Sequence, residues 1–370
     1  MLPATTIMIK ILLINWRDSK NPEAGGAEIY YHEIFRRLVG EYFSVTVLSH
    51  GFPGAPKTEV VDGITVIRYG GKWLFNYQII PYLLKEHRHY DLIIEDLNKI
   101  PFLTPLYLKC NRLHLAMHFF GGEIFREAFF PAALYVFLME KLIPVVYRRE
   151  RFVAISESTA REIERFPVPK DRIAIVEPGI DGSYYHPTVP KSDPPVLVFV
   201  SRLMKYKNAQ FVIRALDRLR SEVPGCLLVI AGSGDYLPEL KRIARESGIA
   251  DSVRFPGRIS ENDKRDLLSS ATLFVNPSAK EGWGINNIEA NLCGTISLSS
   301  DVPGLRDSVV NGETGILYTP DDPDDFHRKA VMLLTDNEKR RVMEQAALAR
   351  ARSFDWDIIA ARMADCLTAG

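Results

Sequence analysis

The sequence has no excess of charge of either sign. Its 370 residues include 46 lysines and arginines and 46 aspartates and glutamates, which gives a formal net charge of zero at pH 7. Proteins that bind the phosphate backbone of nucleic acids usually carry a clustered basic excess. The charge balance therefore argues against a nucleic-acid partner. A hydrophobic fraction of 46% with 25% charged residues is typical of a globular protein.

Cysteine is scarce and scattered. The four cysteines, Cys110, Cys226, Cys293 and Cys366, form no C-x-x-C pair and no cluster with histidine. This spacing argues against both a disulfide framework and a structural zinc site. Buried thiols in a reducing compartment are the simplest interpretation, so we expect a cytoplasmic protein.

Long apolar runs are also missing. The N-terminal fifteen residues lack the layout of a signal peptide and predict a first core strand. The longest other apolar stretch, Phe129 to Tyr147, is interrupted by Glu140, Lys141 and two prolines. A membrane span needs about 20 mostly apolar residues. The sequence therefore predicts no membrane-spanning helix.

Two common nucleotide-binding motifs are incomplete. The loop from Gly25 to Glu28 does not fit G-x-G-x-x-G, and Gly232-Ser233-Gly234 lacks the third glycine, which argues against NAD. Pairs with D-x-D spacing occur at 322–324 and 355–357, but in loop or helix-start contexts, where aspartates commonly act as caps. We therefore expect no cofactor and no metal.

Short apolar runs instead alternate with helix-length segments. Runs such as Ser44–Ser49 and Leu92–Glu95 predict buried strands of a doubly wound parallel sheet, and Val60–Tyr69 predicts a hairpin around an Asp-Gly turn. The pattern restarts after the proline-rich segment 187–195, which we interpret as a linker. The sequence thus predicts two α/β domains, 1–186 and 187–354, followed by an isolated helix at about Asp355–Leu367.

One charged loop follows the first predicted strand of the second domain. Arg202 and Lys207 lie in it, and a guanidinium fork and an ammonium group can converge on one anion. Taken alone, the loop is more simply explained as a solvated basic segment.

A second loop precedes a helix in the same domain. Gly282 and Gly284 would let backbone N–H groups approach a ligand, and a helix N-terminus favours an anion such as a diphosphate. Asn286 or Asn287 is the predicted N-cap of this helix.

Two acidic residues flank these glycines. Glu281 and Glu289 cannot bind phosphate, but their carboxylates suit hydroxyl groups, as on a sugar and a ribose. Glu289 alone would also be explained by its interaction with the helix dipole.

These residues carry a specific resemblance. The run EGWG from Glu281 to Gly284, followed by Glu289, resembles the E-x7-E signature of retaining glycosyltransferases, and the chain is similar to glycosyltransferase family 4. Further segments match the family in order: Gly25–Glu28, Val153–Ser156, Pro178–Asp181, Arg202 with Lys207, Cys293–Thr295 and Asn311–Gly315.

The resemblance implies a fold as well as an activity. The fold would be GT-B, an α/β architecture with two Rossmann-like, doubly wound parallel-sheet domains that face a deep cleft. The first domain would be on the acceptor side and the second would bind the nucleotide-sugar. The C-terminal helix, 355–370, would pack back on the first domain.

The resemblance also implies roles for individual residues. The implied catalytic residues are Glu281, Arg202, Lys207 and His118, where His118 would face the donor sugar; a packed structural histidine is the alternative. Arg202 and Lys207 would hold the donor diphosphate, Glu281 the sugar and Glu289 the ribose. The remaining implied donor contacts are Gly25, Gly26, Arg258, Gly282, Trp283, Gly284 and Ile285.

The implied chemistry is transfer with retention of the anomeric configuration. Arg202, Lys207 and a helix N-terminus would stabilise the negative charge of the leaving diphosphate without a metal. Two departures from the family pattern, Ser201 in place of glycine and the Asn286-Asn287 pair, leave the donor sugar open.

The resemblance therefore implies transfer of a hexosyl-type sugar from a UDP- or GDP-sugar to a hydroxyl acceptor in glycan, glycolipid or cell-surface polysaccharide synthesis. A nucleotide-sugar epimerase of the same fold and a non-catalytic nucleotide-sugar-binding protein remain alternatives. Residues 129–151, with four basic and two acidic groups, are more simply explained as an interdomain or core helix with a charged end; contact with the inner face of a membrane is the alternative.

Overall fold

The computed structural model describes residues 8–40, 42–97, 100–117, 119, 121–127 and 129–369. The chain divides into two compact units. The first contains Met1–Gly179 and Trp356–Gly370, and the second contains Ile180–Asp355.

The first unit has an eight-stranded sheet whose central strand is the apolar N-terminal run. The strands are β1 (Ile9–Ile14), β2 (Phe43–Ser49), β3 (Thr58–Val61), β4 (Ile64–Arg68), β5 (Leu92–Asp96), β6 (Arg112–Ala116), β7 (Phe152–Ala154) and β8 (Ile173–Ile175). Their order is β3-β4-β2-β1-β5-β6-β7-β8. Residues 11–14 of β1 are fully buried, as expected for a strand covered by helices on both faces.

Helices connect most of these strands along the chain. They are α1 (Gly26–Leu38), α2 (Phe75–Gln78), α3 (Ile80–Glu86), α4 (Ile124–Glu127), α5 (Phe130–Val146) and α6 (Glu157–Ile163). All strand pairs are parallel except β3 with β4, which form the predicted hairpin. Its turn residues Asp62 and Gly63 both have positive φ, 49° and 84°, which is the requirement of a tight two-residue turn.

The second unit has a six-stranded, all-parallel sheet. Its strands are β9 (Val196–Val200), β10 (Leu227–Ala231), β11 (Val253–Gly257), β12 (Leu273–Asn276), β13 (Ser297–Ser300) and β14 (Gly315–Tyr318), in the order β11-β10-β9-β12-β13-β14. The strand order reverses at β9, and in such sheets ligands bind at the carboxyl ends of the strands beside the reversal.

The helices of the second unit are α7 (Ala209–Glu222), α8 (Leu237–Glu246), α9 (Glu261–Ser270), α10 (Ile285–Leu292), α11 (Leu305–Ser308), α12 (Pro323–Thr335) and α13 (Asn337–Ala351). The sequence analysis did not anticipate α13. This helix buries only Met343, Ala347 and Ala351, so its apolar face consists mostly of small residues and gives a weak periodic signal.

The proline-rich segment 187–195 differs from its prediction as a linker. It belongs to the second unit, and the boundary lies at Gly179/Ile180 rather than at 186/187. The backbone N–H of Thr188 donates to Ser269 Oγ (3.2 Å) and that of Ser192 donates to the carbonyl of Ser270 (2.8 Å). Proline prevents regular structure here, but the segment is still hydrogen-bonded to α9.

The last helix, α14 (Trp356–Thr368), belongs to the first unit and contacts α1. Arg37 Nε donates to Asp357 Oδ1 (2.7 Å), and Arg362 pairs with Glu177 (3.1 Å). Among the described residues, no helix is both long and apolar enough to cross a membrane.

Candidate functional site

Two loops of the second unit meet at the carboxyl edge of its sheet. One follows β9 and carries Arg202 and Lys207; the other follows β12, the strand that pairs with β9. The backbone N–H of Ala279 donates to the carbonyl of Tyr206 (3.0 Å), and Asn286 Nδ2 donates to the carbonyl of Val200 (2.6 Å). These bonds fix the two predicted ligand-binding loops side by side.

Lys207 and Glu281 form a direct ion pair. Lys207 Nζ donates to Glu281 Oε1, and Ser278 Oγ donates to the same oxygen (2.9 Å). Only 11% of the Lys207 side chain and 19% of the Glu281 side chain are exposed. The lysine also lies over the Tyr206 ring, 5.2 Å from its centroid. The structure thus joins two residues to which the sequence analysis assigned separate partners, a phosphate and a sugar.

Arg202 is exposed, unlike Lys207. Its Nη2 donates weakly to the Tyr206 hydroxyl (3.4 Å). Within the described ranges, it forms no ion pair with a carboxylate. Tyr206 thus contacts both cations of the loop, Arg202 through its hydroxyl group and Lys207 through its ring.

The glycines of the incomplete dinucleotide motif support the Arg202 loop. A Cβ on Gly232 would overlap the carbonyl oxygen of Ser201, and one on Gly234 would overlap that of Leu203. The N–H of Leu203 donates to the carbonyl of Ser233 (2.9 Å). These glycines are required for close packing of two backbones.

Helix α10 begins behind the glycine loop. Its N-cap is Gly284, with φ of 81°, and a Cβ there would lie 2.7 Å from Leu305 Cδ2 and 2.8 Å from Ser308 Oγ. The predicted N-cap at Asn286 or Asn287 is wrong, because both residues lie inside the helix. Asn287 is fully buried and its amide donates to Ser308 Oγ (2.8 Å).

Glu289 is paired with a lysine that the sequence analysis did not identify. Lys264 Nζ donates to Glu289 Oε1 (2.7 Å), and the two side chains are 13% and 9% exposed. Burial alone would lower the pKa of Lys264, but the carboxylates of Glu289 and Glu261 together outweigh it and raise the pKa above its ordinary value. The sequence pattern does not single out Lys264, because its pairing with Glu289 depends on the packing of α9 against α10.

The second oxygen of this carboxylate remains available. Glu289 Oε2 is buried and accepts no hydrogen bond from any residue that the structure describes. Nearby, the Tyr185 hydroxyl donates to Glu261 Oε2 (2.7 Å), and burial together with the Glu289 charge raises the pKa of Tyr185. An unsatisfied buried carboxylate oxygen is costly, and a hydroxyl donor of a ligand would satisfy it.

Trp283 and Arg258 occupy different surroundings. Trp283 is buried, and its ring meets that of Phe354 edge to face at 4.9 Å. Arg258 is exposed and follows β11, the outermost strand, two positions from β9 in the sheet. The structure shows no bond between Arg258 and the described Arg202, Lys207 or Glu289, so its predicted base contact stays a prediction.

The glycine loop of the first unit caps α1. The N–H of Gly25, the N-cap, donates to Glu28 Oε2 (2.7 Å), and Asn15 Nδ2 donates to Glu28 Oε1 (3.1 Å). A Cβ on Gly26 would meet nothing within 4 Å, and one on Gly25 would make only ordinary contact. The chain's own packing therefore does not require either glycine, and the predicted approach of a ligand remains a prediction.

The remaining predicted positions are His118 and the aspartate pair at 322–324. His118 lies outside the described residues. Asp322 is the N-cap of α12 and accepts from the N–H groups of Asp324 and Asp325 (both 3.0 Å), as expected for a cap. In the part of the chain that the structure describes, no three His, Cys, Asp or Glu side chains are grouped in a way that could hold a metal ion.

Comparison with protein families matches both units. The model for Glycosyltransferase Family 4 matches residues 24–184, and the model for Glycosyl transferases group 1 matches residues 186–350. The chain belongs to glycosyltransferase family 4. The resemblance carried by the EGWG loop, Glu289 and the Arg202–Lys207 loop is thereby confirmed.

Two curated relatives illustrate the range of the family. The chain is 31% identical over 244 residues to a D-inositol 3-phosphate glycosyltransferase of Thermobispora bispora, which covers 60% of this chain and 57% of the relative. It is 31% identical over 220 residues to a glycogen synthase of Mycobacterium tuberculosis, covering 58% and 53%. The match thus spans little more than half the length of either relative.

Solved structures of this fold match nearly the whole chain. A sucrose-phosphate synthase from Thermosynechococcus elongatus superimposes with a TM-score of 0.78 at 21% identity, covering 97% of this chain and 98% of that one. HepE of Anabaena, in complex with UDP and glucose, gives a TM-score of 0.73 at 19% identity, covering 98% and 100%. The predicted GT-B fold, with two parallel-sheet α/β domains, is confirmed.

Proposed function

We propose that this glycosyltransferase transfers a hexosyl-type sugar, with retention of configuration, from a UDP- or GDP-sugar to a hydroxyl acceptor. The observation that carries the proposal is the meeting of the Arg202–Lys207 loop with the EGWG loop beside β9 and β12. This edge combines two cations, a helix N-terminus and two carboxylates within one unit. Diphosphate and hydroxyl groups, the two parts of a nucleotide-sugar, match these two kinds of partner.

The roles of the charged residues follow from this arrangement. Arg202 and Lys207 hold the diphosphate, and the N-terminus of α10 adds its partial positive charge. Glu281 accepts hydrogen bonds from the sugar hydroxyls, and Glu289 Oε2 accepts one from a ribose hydroxyl. Gly25, Gly26, Arg258 and His118 remain further donor contacts of the proposal.

The chemical step is a displacement at the anomeric carbon. The bond between that carbon and the phosphate oxygen breaks, and a bond to the acceptor oxygen forms on the same face. The acceptor proton passes to the departing phosphate oxygen, so the proposal needs no protein base. The cations and helix N-terminus stabilise the phosphate charge, so it also needs no metal or other cofactor.

Solved neighbours guide the choice of donor. HepE of Anabaena has been solved with UDP and with UDP-glucose, which favours a UDP-sugar as the first donor to test. The curated relatives are named for an inositol phosphate and for glycogen, and this variety leaves glycans, lipid-linked saccharides and small molecules as acceptor classes. Polysaccharide or glycolipid synthesis on the cytoplasmic side of the membrane is the proposed setting.

Contact with an anionic membrane is the second part of the proposal. Helix α5 buries one face and leaves the other exposed and apolar, with Phe130 68%, Leu138 55% and Val145 67% exposed. Exposed Arg148 and Arg149 follow its end. A core helix would bury both faces, whereas apolar residues next to basic ones fit the surface of anionic lipids.

Vesicle sedimentation tests this contact. We expect binding to vesicles rich in phosphatidylglycerol and little binding to phosphatidylcholine alone. Leu138→Glu should release the protein, and Val342→Glu, at an exposed position of α13, serves as the matched control. Equal recovery in the supernatant with and without anionic vesicles would contradict membrane contact.

A donor panel tests the enzymatic part. The protein is incubated with UDP-, GDP- and ADP-sugars, with and without D-inositol 3-phosphate, oligosaccharides or glycolipids, and with excess EDTA. We expect acceptor-dependent release of one nucleoside diphosphate and a product whose anomeric proton coupling matches that of the donor. Isomerised sugar would indicate an epimerase, and binding without turnover would indicate a nucleotide-sugar-binding protein.

A further inference from the structure

Phe354 lies where the chain returns from the second unit to the first. The division between the units falls at Gly179/Ile180 and again at Asp355/Trp356. The two second-unit ends are joined directly, because the N–H of Ile180 donates to the carbonyl of Phe354 (2.7 Å) and Ile180 forms a parallel β-bridge with Asp355. We call residues 180 and 354–355 the crossing segments.

The side chain of Phe354 packs against the EGWG loop. Its ring lies 4.9 Å from that of Trp283 at an interplanar angle of 76°, an edge-to-face geometry. Both residues are at least 95% buried, with 3% of Trp283 and 5% of Phe354 exposed. Such an aromatic pair contributes interaction energy beyond the burial of its area. The backbone of Phe354 thus holds the crossing segments while its side chain holds the loop assigned to the donor sugar.

Arg350 fixes Phe354 from another side and connects it to α10. Its guanidinium carbon lies 4.9 Å from the Phe354 ring centroid. Its Nη1 donates to the carbonyl of Ser308 (2.9 Å) and its Nη2 to that of Asp307 (2.8 Å). Ser308 Oγ in turn accepts from the Asn287 amide in α10. The EGWG loop, through Trp283, and helix α10, through Asn287, are therefore both connected to Phe354.

We propose that Phe354 is a positioning residue that couples the EGWG loop to the crossing segments through its contact with Trp283. This inference rests on the proposed function only for its effect on transfer; the coupling itself is a property of the chain. A change at Trp283 should reach the Ile180 amide through the ring and the backbone of Phe354. Conversely, loss of the Phe354 ring should misplace the loop without removing any group that contacts a nucleotide.

Amide hydrogen exchange at Ile180 tests the coupling without any ligand. Trp283→Leu should accelerate this exchange about three- to tenfold, the range expected from the loss of one aromatic pair. In a Phe354→Leu background the same Trp283 change should add almost nothing. Trp283→Phe, which keeps a ring, should give an exchange rate at Ile180 between those of the wild type and Trp283→Leu. Phe211→Leu, which removes a ring stacked on Tyr318 elsewhere in the same unit, is the matched control and should leave Ile180 unchanged.

A second arm measures UDP affinity by calorimetry and transfer from UDP-glucose. Phe354→Leu should bind UDP within about twofold of the wild type but turn over about 10- to 100-fold more slowly, because small misplacements remote from the reacting atoms can have effects of that size. A merely structural role would lower UDP affinity and turnover together.

The outcomes of the two arms are distinguishable. Unchanged Ile180 exchange in Trp283→Leu, or equal acceleration in Phe211→Leu, would overturn the coupling. A wild type that binds no nucleotide would instead refute the proposed function, and the exchange arm would still decide the role of Phe354.

Discussion

The ion pair between Lys207 and Glu281 leads to a prediction about the affinity for UDP. If Lys207 binds the donor diphosphate, it must share or give up its hydrogen bond to Glu281 Oε1. Replacing Glu281 by glutamine removes the competing charge and keeps the shape of the side chain. We therefore expect Glu281→Gln to bind UDP more tightly than the wild type, although transfer should fall.

The size of the effect follows from the exposure of the pair. Hydrogen bonds to charged groups contribute about 1.5–3 kcal/mol when buried, and exposed ion pairs contribute about 0–1 kcal/mol. With 11% and 19% exposure, the pair lies between these cases, and Lys207 keeps part of its interaction while it binds phosphate. A release of about 1 kcal/mol corresponds to about fivefold tighter UDP binding.

Isothermal titration with UDP and a transfer assay measure the two effects. Transfer should fall about 10- to 100-fold, because the sugar loses an acceptor with full charge. Glu338→Gln, which removes the same charge at an exposed position of α13, should alter neither quantity. The reasoning would be refuted if Glu281→Gln weakened UDP binding, since Glu281 would then support the diphosphate site rather than compete for it.

Three further predictions concern the framework of the site and of the first unit. Lys264→Met leaves the nearly buried Glu289 carboxylate without its cation and should lower the free energy of unfolding by about 2–4 kcal/mol in urea titrations. Combining it with Glu289→Gln, which removes the unpaired charge, should recover most of that loss. Gly284→Ala should destabilise the second unit by about 1–3 kcal/mol and weaken UDP binding, because the residue has positive φ and no room for a Cβ; unchanged stability and affinity would refute this. Burial alone would raise the pKa of Glu150, but hydrogen bonds from His114 and Arg112 lower it to about 2. The ionised Glu150 carboxylate therefore stabilises the fold at pH values above the pKa that this group has in the unfolded chain, and its contribution is lost as the pH falls toward 2. The difference in free energy of unfolding between the wild type and Arg112→Met should therefore narrow between pH 6 and pH 3.

Local chemistry made much of the fold predictable from the sequence. The β3–β4 hairpin follows from an Asp-Gly pair at positive φ between alternating apolar residues. The central strand β1 follows from an unbroken apolar run. Helix α13 was missed because its buried residues are mainly alanines.

The site was predictable as a set of residues but not as a set of contacts. The motifs placed Arg202, Lys207 and Glu281 in loops at strand ends and Glu289 in the helix that follows the second loop. Residues 207 and 281 are 74 positions apart, and their pairing depends on the backbone bond between two loops. The N-cap of α10 was misjudged for a related reason: Gly284 is enforced by the close approach of α11, which sequence spacing does not show.

The central claim is that Arg202 and Lys207 bind the diphosphate of a nucleotide-sugar donor. It is tested most directly by measuring sugar transfer in Arg202→Ala and Lys207→Ala, with circular dichroism and thermal unfolding to verify the fold. The account predicts that both variants remain folded and that neither transfers sugar. Full activity in either folded variant would contradict it.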